Sequence, residues 1–239
     1  MITSTKKFNI TLIFLILSFA IFIRAYNINY DNFWFDEILS FWITDPKLTF
    51  KESFARHLKI EQIPYLYHFF LKINFEIFSY NNLLGRYLSL IFNILGICFA
   101  TLLCKNIKDN NSYLLSLFLF STNIFLIGYS QELRPYSLIF FLSSLNLYLF
   151  FKIHTSVSYK KFDFFYYFLI TLSQIFLIIS HPFSIIIFFS TSLFIGLNFF
   201  LKKKNSLILV RSFYLSFIFL IIYLYFYLKN LDSFPSWIT

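Results

Sequence analysis

YLSLIFNILGICFATLLC, running from Tyr87 to Cys104, is eighteen residues long and contains no Asp, Glu, Lys or Arg. At about 1.5 Å per residue, a helix of that length crosses most of a ~30 Å hydrocarbon core. Six more stretches lack charge in the same way: Phe8–Ile23, Ser112–Ser130, Pro135–Phe151, Phe164–Ser180, Pro182–Leu201 and Ser212–Leu228. Composition agrees. The 239 residues are 59% apolar and 24% aromatic, with a mean hydropathy of +0.71. Only 13% are charged, against about 25% in a soluble domain. The expected fold is all-α: one polytopic membrane domain over residues 1–239, with seven transmembrane helices. The first span is short, and Lys6, Lys7 and Arg24 can snorkel at its ends. No small-x-small site follows it, so it reads as an uncleaved anchor.

The net charge of +9 is a topology signal. With the N-terminus inside, the inner segments hold eleven basic residues against Asp109 and Asp163, while the outer segments balance. The Lys202–Lys204 run and the Lys160/Lys161 pair are the strongest votes, because orientation follows Lys and Arg in short loops. This places the N-terminus in the cytoplasm and the C-terminus outside, and it leaves no basic patch for nucleic acid. The chain has four Gly and no Gly-rich phosphate loop. No Cys/His metal spacing occurs, and Cys98 and Cys104 read as inert thiols.

The one long connection is the first outer loop, residues 24–86, which holds seven of the eleven acids. It is too aromatic for disorder and reads as short helices on the membrane surface. One is expected from about Phe33 to Thr44, with Trp34, Ile38, Phe41 and Trp42 on an apolar face and Asp36, Glu37 and Ser40 elsewhere. Another covers Pro64–Phe78, where His68, Lys72 and Glu76 form a polar stripe and Lys72 can pair with Glu76. That amphipathic pattern suits a helix lying in the interface.

Three outer features carry chemistry. Asp36 and Glu37 place carboxylates at the surface, either simply facing water or set against a lipid-linked substrate. The turn Ser130-Gln131-Glu132-Leu133-Arg134-Pro135-Tyr136 puts an acid and a base two residues apart, either as a capping ion pair or as a phosphate grip. His181 sits in the turn Ser180-His181-Pro182, where a lone His is often structural. Arg24, Arg56, His57, Lys59 and Arg86 add basic groups on the same side.

Taken in order, Asp36-Glu37, Pro64-Tyr65-Leu66-Tyr67, Leu84-Gly85-Arg86-Tyr87-Leu88-Ser89 and Ser130-Gln-Glu-Leu-Arg-Pro-Tyr-Ser-Leu138 resemble the GT-C membrane glycosyltransferases. The nearest are bacterial enzymes akin to protein O-mannosyltransferases and aminoarabinose transferases, over roughly Lys6–Leu228. The resemblance implies a polyprenyl-phosphate sugar donor and transfer to an acceptor hydroxyl on a protein, glycolipid or polysaccharide outside the bacterial inner membrane. It implies Asp36 as base with Glu37 beside it. It implies Arg134 as the phosphate grip, with Arg86 and His57 in support and His181 nearby. Glu132 matches an outer acid that helps bind a divalent metal in some members and acts without one in others. Two departures stand out. Gln62-Ile63-Pro64 replaces a pattern that is often basic and then Pro-Pro, and the chain ends at Thr239 where relatives continue. A fragment, a split gene, a minimal module and an inactive remnant all stay open on that ground. A transporter or lipid flippase is the rival class, set against the absence of charge within the spans.

Overall fold

The computed structural model describes residues 2–61, 63–107, 112–155, 163–201 and 207–229. All regular structure among them is helical: α1 (Ile2–Ala25), α2 (Phe35–Ile43), α3 (Phe50–Leu58), α4 (Leu66–Ile77), α5 (Asn82–Ile107), α6 (Ser112–Thr122), α7 (Ile124–Ser130), α8 (Tyr136–Thr155), α9 (Asp163–Ile178), α10 (Ile185–Phe200) and α11 (Leu207–Lys229), with a 3₁₀ turn, Pro182–Ser184, leading into α10. Five are long and apolar enough to cross a membrane, within Phe8–Ala25, Asn82–Ile107, Tyr136–Thr155, Pro182–Phe200 and Leu207–Phe226. The pair α6 and α7, bent by 57° at its break, brings the number to six when it is counted as one broken span and not as a re-entrant loop. The chain is an integral membrane protein. The expected seventh span corresponds to α9, apolar but only 16 residues long. The charges that carried the orientation argument, Lys108, Asp109, Lys160, Lys161 and Lys202–Lys204, lie outside the described residues, as do Gln62 and Thr239.

α5 and α8 form the most intimate helix pair. Gly96 makes this approach feasible, since a Cβ there would sit 2.4 Å from the Phe140 ring. Leu149, Phe150 and Ile153 of α8 close a second cluster with Ile170, Ile195 and Leu209 of α9–α11. Two buried polar contacts tie the same helices: Asn146 Nδ2 donates to Ser173 Oγ at 2.9 Å, and Ser216 Oγ donates to Gln174 Oε1 at 2.8 Å. Such pairs hold helices together where lipid gives no hydrophobic drive between them.

Arg24 differs from expectation. It does not snorkel outward but is fully buried. The cause is the break between α6 and α7, where Asn123 caps the new helix by accepting from Leu126 N at 3.0 Å. A helix end leaves its last carbonyls without partners. The Arg24 fork supplies donors to two of them, Ser121 O at 2.8 Å and Phe120 O at 3.1 Å. Its Nε donates to Asn93 Oδ1 at 2.9 Å, and Asn93 Nδ2 donates on to Leu126 O at 3.0 Å. One buried network thereby joins α1, α5, α6 and α7.

The stripe on α4 also differs. His68 and Lys72 are fully buried, while Glu76 stays exposed. Lys72 does pair with Glu76, at 2.9 Å, but it also donates to Leu48 O at 2.6 Å. The polar stripe therefore faces the α2–α3 connection and satisfies its carbonyls. The other face, with Leu71 and Phe75, packs against Leu133, Leu138, Leu142 and Leu177 of the bundle. The helix is buried on two sides, so it docks on the bundle end.

Candidate functional site

α2 begins at Phe35, two residues later than the sequence suggests, so Asp36 and Glu37 fall in its first turn, where carboxylates suit the helix dipole. The two point into different surroundings. Glu37 is 1% exposed, and Arg86 meets it side-on: Nε donates to Oε1 at 3.1 Å and Nη2 to Oε2 at 2.8 Å. Leu133 N donates to the same Oε1 at 2.7 Å. Arg86 Nη1 donates to Ile28 O at 2.9 Å and Asp31 O at 3.0 Å. Glu37 and Arg86, expected at the catalytic carboxylates and the phosphate, are instead spent on holding three chain segments together. Gly85 permits this, since a Cβ there would meet Leu133 Cδ1 at 2.2 Å.

Asp36 remains partly open, with 35% of its side chain exposed. Its Oδ2 lies 3.6 Å from Arg134 Nη2. Arg134 does not pair with Glu132, its neighbour in the turn. Its Nη1 donates to Glu61 Oε1 at 2.7 Å, and both of those side chains are under 10% exposed. The same Nη1 reaches Ser40 Oγ and Asp36 O at 3.4 Å. Glu61 was not anticipated. It stands between two helices in a run without periodicity, and no local pattern marks it.

Around this guanidinium the structure collects most of the expected residues. His57 is 2% exposed, and its Nε2 faces Ile63 O at 2.7 Å. Burial pulls its pKa down to about 4, the Ile63 carbonyl opposes that, and Arg134 adds to it. His68, also unanticipated as a site residue, lies with its ring centroid 4.9 Å from that of His57. Burial first, then His57 and Arg134, holds it well below the usual histidine range. In both rings burial and the neighbouring Arg134 disfavour the cationic form, which argues against either as the cation for a phosphate. His181 is partly buried 6.5 Å from the Tyr136 ring, and its Nδ1 accepts from Phe183 N at 3.1 Å, capping the 3₁₀ turn. Burial and then Arg134 lower its pKa. Glu132 is half-buried, and burial followed by Glu37 raises its pKa, against Arg134 and Arg86.

The end of the bundle thus gathers four carboxylates, Asp36, Glu37, Glu61 and Glu132, with two guanidiniums, Arg86 and Arg134. Among the described residues no three His, Cys, Asp or Glu side chains group closely enough to hold a metal ion. Asp36 and Glu132 alone would leave most of a cation's shell to water and substrate oxygens, as magnesium commonly accepts. Chemically, the arrangement offers one accessible carboxylate beside one guanidinium, on a support made rigid by the Glu37–Arg86 pair. No family model matches the chain, and no curated protein or solved structure is significantly similar to it.

Proposed function

We propose that the protein is a glycosyltransferase of the GT-C type, moving a sugar from a polyprenyl-phosphate donor to an acceptor hydroxyl by inverting displacement. The observation that carries the reading is the Asp36–Arg134 juxtaposition at 3.6 Å, with Asp36 the more exposed of the two adjacent acids. A hydroxyl is a poor nucleophile until a positioned carboxylate takes its proton, and the partly exposed carboxylate of Asp36 supports that role. The departing polyprenyl phosphate is stable as an anion and needs a cation to hold it, which Arg134 supplies. To do so Arg134 must leave Glu61 or share itself with it. The proposed topology has seven spans, counting α9, with the N-terminus in the cytoplasm and the site on the outer face of a bacterial inner membrane. Acceptors of the proposed class are proteins, glycolipids and polysaccharides.

The test is release of polyprenyl phosphate by the chain reconstituted in lipid, given a panel of polyprenyl-phosphate sugars and envelope acceptors. Release lost in a folded Asp36→Asn variant supports the reading. Release that survives Asp36→Asn keeps the reaction and removes the residue. No release with any donor abandons the reaction for a non-catalytic relative.

A further inference from the structure

We propose that His57 and His68 form the floor of a subsite for a substrate hydroxyl, an inference that rests on the glycosyl-transfer reading and assigns part of its sugar recognition. Hydrogen bonding fixes the proton on each ring. Ile63 O carries no hydrogen, so His57 Nε2, 2.7 Å away, must donate to it. Ser40 has one hydroxyl proton, which goes to Asp36 O at 3.0 Å. Its lone pairs then accept from Arg134 Nη1 at 3.4 Å and from His68 Nε2 at 3.3 Å. Both neutral rings therefore carry the proton on Nε2 and a lone pair on Nδ1.

Both Nδ1 atoms are buried without a partner, and so is the Nε–H of Arg134. Native interiors rarely leave such groups unpaired, and each calls for an occupant. The unmet atoms are two acceptors and one donor. The phosphodiester oxygens of a polyprenyl-phosphate sugar carry no hydrogen to offer the acceptors. A hydroxyl has the chemistry both kinds of atom call for, an O–H for an imidazole Nδ1 and an oxygen to accept from an N–H such as that of Arg134 Nε. The Tyr65 ring, stacked along His68 with centroids 6.1 Å apart, adds an apolar surface of the kind that receives a sugar's C–H face. Neither lone pair is open to solvent in this conformation. A donor phosphate that draws Arg134 away from Glu61 opens the way to both. Binding is thereby divided, with phosphate at the Arg134–Asp36 rim and hydroxyls on the histidine floor beneath.

A trapped water has the same hydrogen-bonding chemistry, and one experiment separates the two. The chain has four histidines, His57, His68, His154 and His181. ¹⁵N-histidine-labelled full chain in lipid nanodiscs therefore gives four imidazole spin systems, with His154 as internal control and His57→Gln and His68→Gln as assignment variants. The probes are a panel of methyl glycosides, each with and without dimethyl phosphate, and dimethyl phosphate alone. Expected are Nε2–H tautomers for His57 and His68 at pH 7, a saturable shift of both Nδ1 resonances with at least one glycoside, and no such shift with dimethyl phosphate alone. Nδ1–H or charged rings overturn the proposal, and so does a response to dimethyl phosphate in place of glycosides. Unmoved resonances with every glycoside, with and without dimethyl phosphate, mean a water site only and overturn it as well. Shifts with glycosides but no polyprenyl phosphate release would retain the subsite and discard the reaction, and the converse would do the opposite.

Discussion

Glu37 and Arg86, 49 residues apart in sequence, meet through two hydrogen bonds of 3.1 and 2.8 Å with both side chains under 5% exposed. Removing one partner of a buried pair leaves the other charge stranded, at a cost of about 3–5 kcal/mol. Glu37→Gln and Arg86→Met should each lower thermal stability strongly in detergent. The double variant should cost less than the two losses added together, because no unpaired charge remains. A double variant as damaging as the sum of the singles would show that the pair is not coupled.

Asp36→Asn should behave differently. Its carboxylate is 35% exposed and its contact with Arg134 is 3.6 Å, so stability should change by less than about 1 kcal/mol, as for a surface ion pair. Transfer, on the proposed mechanism, should fall by a factor of about 10² or more. Melting curves and release of polyprenyl phosphate measured on the same preparation check both halves.

Gly85 is where α5 touches the Glu132–Arg134 turn. A Cβ at this position would lie 2.2 Å from Leu133 Cδ1 and 3.0 Å from Phe75 Cζ. Overpacking of this kind costs about 1–3 kcal/mol. Gly85→Ala should therefore destabilise, and Leu133→Val should recover part of the loss by withdrawing the clashing methyl. Thermal unfolding of the single and double variants reads this directly.

Arg24→Met should destabilise by more than about 2 kcal/mol, since it takes donors from Ser121 O, Phe120 O and Asn93 Oδ1 together. Arg24→Lys should recover only part, because an ammonium cannot fork to all three. If Arg24→Met melts like the parent, the carbonyls at the break have other partners.

Acid should loosen the loop. The His57 pKa lies near 4 in the folded chain, brought down by burial, and near 6.5 when unfolded. Between those values the unfolded chain binds the proton and the folded chain does not. The stability is therefore complete above about pH 6.5 and is lost as pH falls toward 4, by up to about 3 kcal/mol. His68, shifted the same way, adds to the effect. The opening equilibrium over residues 50–68, from hydrogen exchange corrected for the intrinsic rate at each pH, should rise steeply from pH 7 to 4.5, and the slope should shrink in His57→Gln.

By itself the sequence determined the solvent and the class of fold. Runs of sixteen to twenty residues without charge require helices in a membrane, because both hydropathy and backbone satisfaction are local properties. It also determined that the acids gather in the loop between the first two long runs, and that Lys72 can reach Glu76 one turn away. Tertiary structure alone decided which member of Asp36-Glu37 faces outward. Glu37 is buried by Arg86 and by Leu133 N, 49 and 96 residues away, and the local pattern treats the two neighbours alike. Glu61 acquired its place through Arg134, 73 residues on, and Asn93 through Arg24, 69 residues back. The polar stripe of α4 was visible, but its direction was not, because a helical period shows which residues share a face and leaves open what that face meets. Arg24 turned inward for the same kind of reason: the carbonyls it serves exist only because α6 stops at Thr122, about a hundred residues further along the chain.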